Sequence, residues 1–363
     1  MLSVLLSGER RSERFMVALE ERLLFTHGSC THFSFGNAAV AIAVSDYSNE
    51  VAISLKDHTI RLFSTTDGAP KHVYSLQQHS RTCWSLVFGQ GFLASGCLSG
   101  LVILWDTRTR SPIYKLQCPG PIRSLSFLGN YDQLIVTSTN KVLHWRYRRN
   151  STSTIFSTSS QILFARSVGQ RILIALKVPE KRLYTVRIMR WSFDTNTLES
   201  AYHDIHGILL YTEAGVAVNN RGDLIACCRV TNTGARLSIL SLDSSTLGVE
   251  IRSCPLPEVE FATSLCFSPS SSHIIVGYGI SPRRRTLLKM RRIREGIFDE
   301  ISNVEFLLKT VYKVEDLSQI YECRTCNPSE GINALSICNM RPSILVQASV
   351  AAGVYIFTVH RPP

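Results

Sequence analysis

The sequence predicts an all-β fold built from one unit written several times over, and three observations carry that reading. From Thr31 onward the chain is a succession of short β-branched and aromatic runs broken by Gly, Asn, Asp and Pro, the texture of many antiparallel strands. Strand-ending aromatic residues fall at Phe63, Trp105 and Trp145, separated by 42 and 40 residues. A second marker keeps the same register: Trp84-Ser85-Leu86-Val87-Phe88, Arg123-Ser124-Leu125-Ser126-Phe127 and Thr263-Ser264-Leu265-Cys266-Phe267. A period of about 40 to 45 residues with a Trp-Asp pair at its end is the signature of WD repeats, so the expected fold is a seven-bladed WD-repeat β-propeller. Blade borders slip by several residues when read from sequence, which leaves six or eight blades open.

Taken in order, residues Gly8 to Phe25 do not alternate as a strand would. Phe15, Leu19 and Leu23 recur at helical spacing, with Arg10, Arg11 and Arg14 on the other face, which predicts an amphipathic helix ahead of the ring. The division expected is therefore a helical segment over 1–28 and one propeller over 29–363. The segment Gln77 to Arg108 is the most complete blade. Its Trp105 needs a partner for the indole N–H, and His79 and Ser95 stand at suitable positions to supply one, while Asp106 follows in the turn. Arg108 has left the core, and a planar five-donor side chain at the rim suits contact with another protein. The next blade ends at Trp145. Ser160 to Asp194 and Gly215 to Asp243 give two more, the latter turning at Asn219 to Asp223; a sixth runs from Val249 to about Val311 and the last covers Ile332 to Val359. The Ser/Thr-rich stretch Asn150 to Ser160 is expected to be a mobile connector.

Size and composition narrow the function classes. With 363 residues, 45% of them hydrophobic and 18% charged, the chain buries a large core, which excludes disorder and a disulfide-stapled mini-fold. Eleven cysteines at irregular spacings, many inside apolar strands, fit a reducing compartment, and neither a secretory signal nor a membrane-spanning run is present in the sequence. Cytoplasm or nucleus is the expected location. The net charge of +11 is concentrated in Arg283, Arg284, Arg285, Lys289, Arg291, Arg292 and Arg294, in a basic insertion at about 281–300. That run suits a solvated loop, an acidic protein, anionic lipid at a membrane periphery, or nucleic acid, the last disfavoured because aromatic residues are not interleaved. Cys323 and Cys326 have the spacing of half a zinc site, but no second pair follows, so no metal or other cofactor is expected. No nucleophile motif, phosphate loop or paired carboxylates stand out, and catalysis is not expected.

In its details the chain resembles one family, the WD-repeat proteins known as activating molecule in Beclin-regulated autophagy. The resemblance is carried by Ser7-Gly8-Glu9-Arg10-Arg11 leading into the helix, by Arg81-Thr82-Cys83-Trp84 after His79, and by Leu93 to Leu98 before Trp105-Asp106. It continues through Thr137-Ser138-Thr139-Asn140 before His144-Trp145 and through Ser264 to Gly277. It implies a substrate receptor of cullin-four RING ubiquitin ligases, with D-type cyclins among its substrates and autophagy control among its outputs. Such receptors dock on the ligase adaptor, the large subunit of the damage-specific DNA-binding protein, through an N-terminal helix and WDxR arginines. Here these are the segment Glu9 to Leu24, Arg108, and Arg148 in Trp145-Arg146-Tyr147-Arg148, where the Asp is missing. The resemblance also implies a long disordered insertion dividing the ring, and Val178-Pro179-Glu180-Lys181 stands where it would begin. In strong WD blades an Asp completes a hydrogen-bond relay with His, Ser and Trp; in the second blade that position is Ser99.

Overall fold

The computed structural model describes residues 29–66, 69–129, 132–181, 183–256, 262–279, 306–325, 331–338, 344–349 and 353–358. The expected helix, with Arg10, Arg11, Arg14, Phe15, Leu19 and Leu23, lies outside them, and so does the basic run with Arg283, Arg284, Arg285, Lys289, Arg291, Arg292 and Arg294.

Among the described residues the protein is all-β, with helical structure confined to two single 3-10 turns. The chain enters through β1 (Ser29–Phe33) and then repeats a four-stranded antiparallel meander. The first is β2 (Ala39–Val44), β3 (Glu50–Leu55), β4 (Ile60–Ser64) and β5 (Lys71–Leu76). Next come β6 (Cys83–Gly89), β7 (Phe92–Cys97), β8 (Leu101–Asp106) and β9 (Pro112–Gln117), then β10 (Ser124–Leu128), β11 (Gln133–Thr137), β12 (Lys141–Arg146) and β13 (Ser151–Ser157). β14 (Ile162–Val168), β15 (Arg171–Lys177), β16 (Leu183–Ser192) and β17 (Thr197–Leu209) follow, with β18 (Val216–Val218), β19 (Leu224–Thr231), β20 (Gly234–Ser241) and β21 (Glu250–Pro255) after them. Between these two meanders the strand ladder consists of the single pair Ile208 and Arg229, which merges them into one eight-stranded sheet. β22 (Ala262–Phe267), β23 (His273–Tyr278), β24 (Phe306–Lys313) and β25 (Gln319–Thr325) form the next sheet. The last one joins the two ends of the chain: β26 (Ile332–Ile337), β27 (Ile344–Ser349) and β28 (Gly353–Thr358) take β1 as their fourth strand, Ser29 opposite Thr358 and Phe33 opposite Val354.

Burial follows position within each meander. The second strands β3, β7, β11 and β23 are buried almost without interruption, because each sheet is covered on both faces by its neighbours. Outer strands such as β5, β9 and β21 are largely open to solvent. Cores form between sheets: Ala41, Ile60 and Leu62 pack with Leu86, Leu93 and Trp105, and Ile53 and Phe63 pack with Val346, Val354 and Ile356, so the first meander meets the last.

Hydrogen bonds from one meander to the next run in a circuit. Ser54 Oγ donates to Cys83 O (2.8 Å), Leu125 N to Ser85 Oγ (3.0 Å), Ala165 N to Ser124 Oγ (3.0 Å), and the Arg166 guanidinium to Val216 O (2.9 Å). Thr212 Oγ1 then donates to Thr263 O (3.3 Å), Thr263 Oγ1 to Ile332 O (2.6 Å), and Asn333 Nδ2 to Ala39 O (3.0 Å), which returns to the start. This is the sheet organisation of a β-propeller.

Two expectations need correction. The stretch Asn150 to Ser160 is not a connector: Ser151–Ser157 is the outer strand β13, and its Ser/Thr content reflects exposure on both faces. Nor does a new unit begin at Val249, since Glu250–Pro255 pairs with β20 and closes the preceding sheet. No helix of the described residues is long and apolar enough to cross a membrane.

Candidate functional site

The second meander fixes Trp105 at the end of β8. The indole N–H donates to Ser95 Oγ (2.8 Å), and Ser95 Oγ lies 2.7 Å from His79 Nε2, all three residues being buried. Burial, with the Lys115 charge adding to it, pushes His79 down to about 4, so the ring is neutral. The Ser95 hydroxyl also donates to Ile103 O at 3.4 Å, and the other ring nitrogen of His79, Nδ1, is buried without a partner. In place of a carboxylate stands Ser99, whose hydroxyl is 3.0 Å from Cys97 Sγ.

Asp106 organises the turn beyond the Trp. Its Oδ1 accepts from the backbone N–H of Thr109 (2.7 Å) and Arg108 (2.8 Å), which holds the carboxyl below its ordinary range. Arg110, at φ +60°, closes the turn by donating its N–H to Asp106 O (2.9 Å) and pairs with Glu50 of the first meander at 2.5 Å. Arg108 is thus displayed, exposed, on a turn fixed from both sides.

Trp145 occupies the same place in the third meander, since Trp105 faces Leu93 and Trp145 faces Leu134. Its surroundings differ. Two residues beyond Leu134 comes Val136 where the second meander has Ser95, and the fully buried Trp145 indole N–H has no partner. Without an Asp the chain makes a 3-10 turn over Tyr147–Arg149, closed by Asn150 in the left-handed region. Arg148 is exposed on that turn.

Strand direction places these groups. Arg108 lies in the turn from β8 to β9 and Arg148 in the turn from β12 to β13, each from a third strand to a fourth. β1 serves as the fourth strand of its sheet, and its first residue, Ser29, sits opposite the end of β28. Arg108, Arg148 and the exit toward residues 1–28 therefore share one face. The opposite face carries the starts of the inner strands and the turns from second to third strands. The two described ends that flank the basic stretch, the end of β23 at Tyr278 and the start of β24 at Phe306, lie on that face.

That second face holds groups the sequence reading did not single out. Trp84 stands at the bulge of β6, 45% exposed, with the Arg123 guanidinium 5.7 Å from its ring centre. Next to the inner strands, Arg166 donates to Glu213 O (3.2 Å) as well as Val216 O, and burial pushes the Glu213 carboxyl up to about 7 against the opposing pull of Arg166 and the Ser85 hydroxyl. An Arg inside the otherwise small and apolar run Leu163 to Val168 is the signal that marks this spot in the sequence. Where a dividing insertion would begin, the chain instead turns tightly, with Val178 N donating to Leu183 O at 2.9 Å.

Fold and faces together define an all-β repeat protein of propeller architecture. Its curated homologues are the activating molecules in BECN1-regulated autophagy. Protein 1A of Danio rerio is 31% identical over 134 residues, covering 35% of this chain and 10% of that protein. Protein 1B of Danio rerio is 29% identical over 149 residues, covering 39% and 11%. The chain thus spans about a tenth of the length of the curated relatives it matches. No family model matches it.

Proposed function

We propose that the meanders are seven blades of one closed WD-repeat ring and that this ring is a non-catalytic substrate receptor. In this reading residues 1–28 and Arg108, with Arg148 beside it, fasten the protein to the cullin-four ligase adaptor, and the Trp84 face presents substrates, D-type cyclins among them, for ubiquitination. A role in autophagy regulation follows from the names of the relatives. The observation that supports it is the common face: two exposed arginines on third-to-fourth-strand turns and the exit of the N-terminal segment point the same way. A ligase held there leaves the other face free, and catalysis is then proximity alone.

The test is co-purification with the large subunit of the damage-specific DNA-binding protein. Deleting Met1 to Phe25, or Arg108→Glu, abolishes capture while the circular dichroism spectrum stays that of the intact ring. Undiminished capture by both variants rejects the docking reading. Salt-sensitive binding to anionic vesicles or oligonucleotides, lost when the seven cations of 283–294 are neutralised, would favour a scaffold at a membrane periphery or on nucleic acid instead.

A further inference from the structure

Among the described residues one pair of cysteines faces directly across two paired strands: Cys83, the first residue of β6, stands opposite Cys97, the last residue of β7. Beyond them Leu98 N donates to Thr82 O (3.1 Å), which makes Thr82 and Leu98 a hydrogen-bonded pair of the ladder and Cys83 and Cys97 a non-hydrogen-bonded one. The Cα atoms of such a pair lie about 4.5 Å apart, with both side chains on the same side of the sheet. That is within the span of about 4.4 to 6.8 Å that a disulfide bridges without backbone movement. Both thiols are free and fully buried, in the one core that the first and second meanders share. Burial, with Cys97 adding to it, pushes the Cys83 thiol up, and Cys97 Sγ lies 3.0 Å from the Ser99 hydroxyl.

We propose that Cys83 and Cys97 are a redox-sensitive thiol pair that closes to a cross-strand disulfide under peroxide and reopens with a dithiol reductant. While the strands are closed, burial keeps both thiols from the oxidant. The pair sits at the open end of the hairpin made by β6 and β7, where strands separate most readily, and its neighbour Trp84 is already 45% exposed. On opening, one sulfur attacks a peroxide oxygen and becomes a sulfenic acid with release of water; the second sulfur then displaces that hydroxyl as water. Two thiols give up two protons and two electrons, and one peroxide becomes two waters. Every cysteine of the described residues is a free thiol, so this bond is a sensor rather than a permanent staple. Once formed it ties the entry of β6, whose Cys83 O accepts from Ser54 of the first meander, to the exit of β7. It holds whether or not the protein docks on the ligase adaptor.

Mass spectrometry of the full chain after treatment with hydrogen peroxide in native buffer, with the remaining thiols alkylated before digestion, tests the pair. Cys83 and Cys97 are the cysteines between Arg81 and Arg108, so trypsin delivers them in one peptide, 82–108. That peptide is expected to lose two hydrogens and take up no alkylating agent, and dithiothreitol restores both thiols. Chymotrypsin, which cuts after aromatic residues such as Phe88 and Phe92, leaves the two halves joined. Cys83→Ala and Cys97→Ala each abolish the loss of hydrogens, and the measurement on the unaltered chain stands if either variant fails to fold. A peptide 82–108 that keeps both thiols at peroxide levels that oxidise the exposed Cys30 overturns the proposal. So does sulfinic acid at either position without a bond, or a bond that forms in the urea-unfolded chain alone.

Discussion

Two tryptophans at the same structural position are satisfied in different ways. Trp105 gives its N–H to Ser95, whereas the Trp145 N–H is buried without an acceptor. Truncating a bonded donor leaves Ser95 and His79 short of a partner, at a cost of about 1 to 3 kcal/mol, but removing an orphan donor carries no such loss. Urea unfolding should show Trp105→Phe clearly less stable than Trp145→Phe; equal losses would mean that packing alone holds both rings. The missing relay carboxylate also sets a pH dependence. His79 stays neutral down to about pH 4 in the fold and titrates near 6.5 when unfolded, so the unfolded chain binds more protons in between. The stability His79 supplies is complete above about 6.5 and is lost as pH falls toward 4. His144, pushed down to about 4 by burial, acts with the same sign. Glu213, raised to about 7, acts with the opposite sign, its contribution falling as pH rises from 4.5 to 7. Among these three described groups the two histidines outweigh the one carboxyl, so together they should lower stability from pH 6.5 down to 4.5. His79→Gln should remove about 2 kcal/mol of the loss between pH 7 and pH 5, measured by urea unfolding at the two values; an unchanged loss would show that His79 carries a proton in the fold.

Legibility in the sequence divides along the strands of each meander. Inner and middle strands were readable because two-sided cover makes them apolar throughout, as in Ile172 to Leu176. Outer strands were not, because exposure on both faces removes the apolar alternation: Ser151–Ser157 looks like a linker, and Glu250–Pro255 looks like the start of something new. His79, Ser95 and Trp105 were legible as a set because the residue types of a hydrogen-bonded Trp recur at fixed spacing. Trp84 under Arg123 and Arg166 beside Glu213 were not, because each pair joins residues of different meanders. The same holds for the bonds between meanders, which use side chains with no shared motif. Thr263 makes the shortest of these in the ring circuit, to Ile332 O. Thr263→Val keeps the shape and removes the donor, which should destabilise by about 1 to 3 kcal/mol in a thermal or urea melt. A neutral result would mean that water replaces the bond and that the circuit is incidental to ring stability.

At the scale of the whole molecule the sheets follow one another round to a closing sheet made from both ends of the chain, which leaves two unlike faces. One face has Arg108 and Arg148 on strand-joining turns and releases the chain toward residues 1–28. The other has Trp84, Arg123 and both ends of the basic insertion. Closure comes from the pairing of β1 with β28, from the core shared by the first and last meanders, and from the bond of Asn333 to Ala39. The most direct test is an electron cryo-microscopy map of the chain bound to the ligase adaptor. The expected map shows seven sheets arranged radially and sealed between residues 29–33 and 353–358, with adaptor density over the face that carries Arg108. Adaptor density over the Trp84 face, or a gap at the closing sheet, would overturn the closed ring or its docking face.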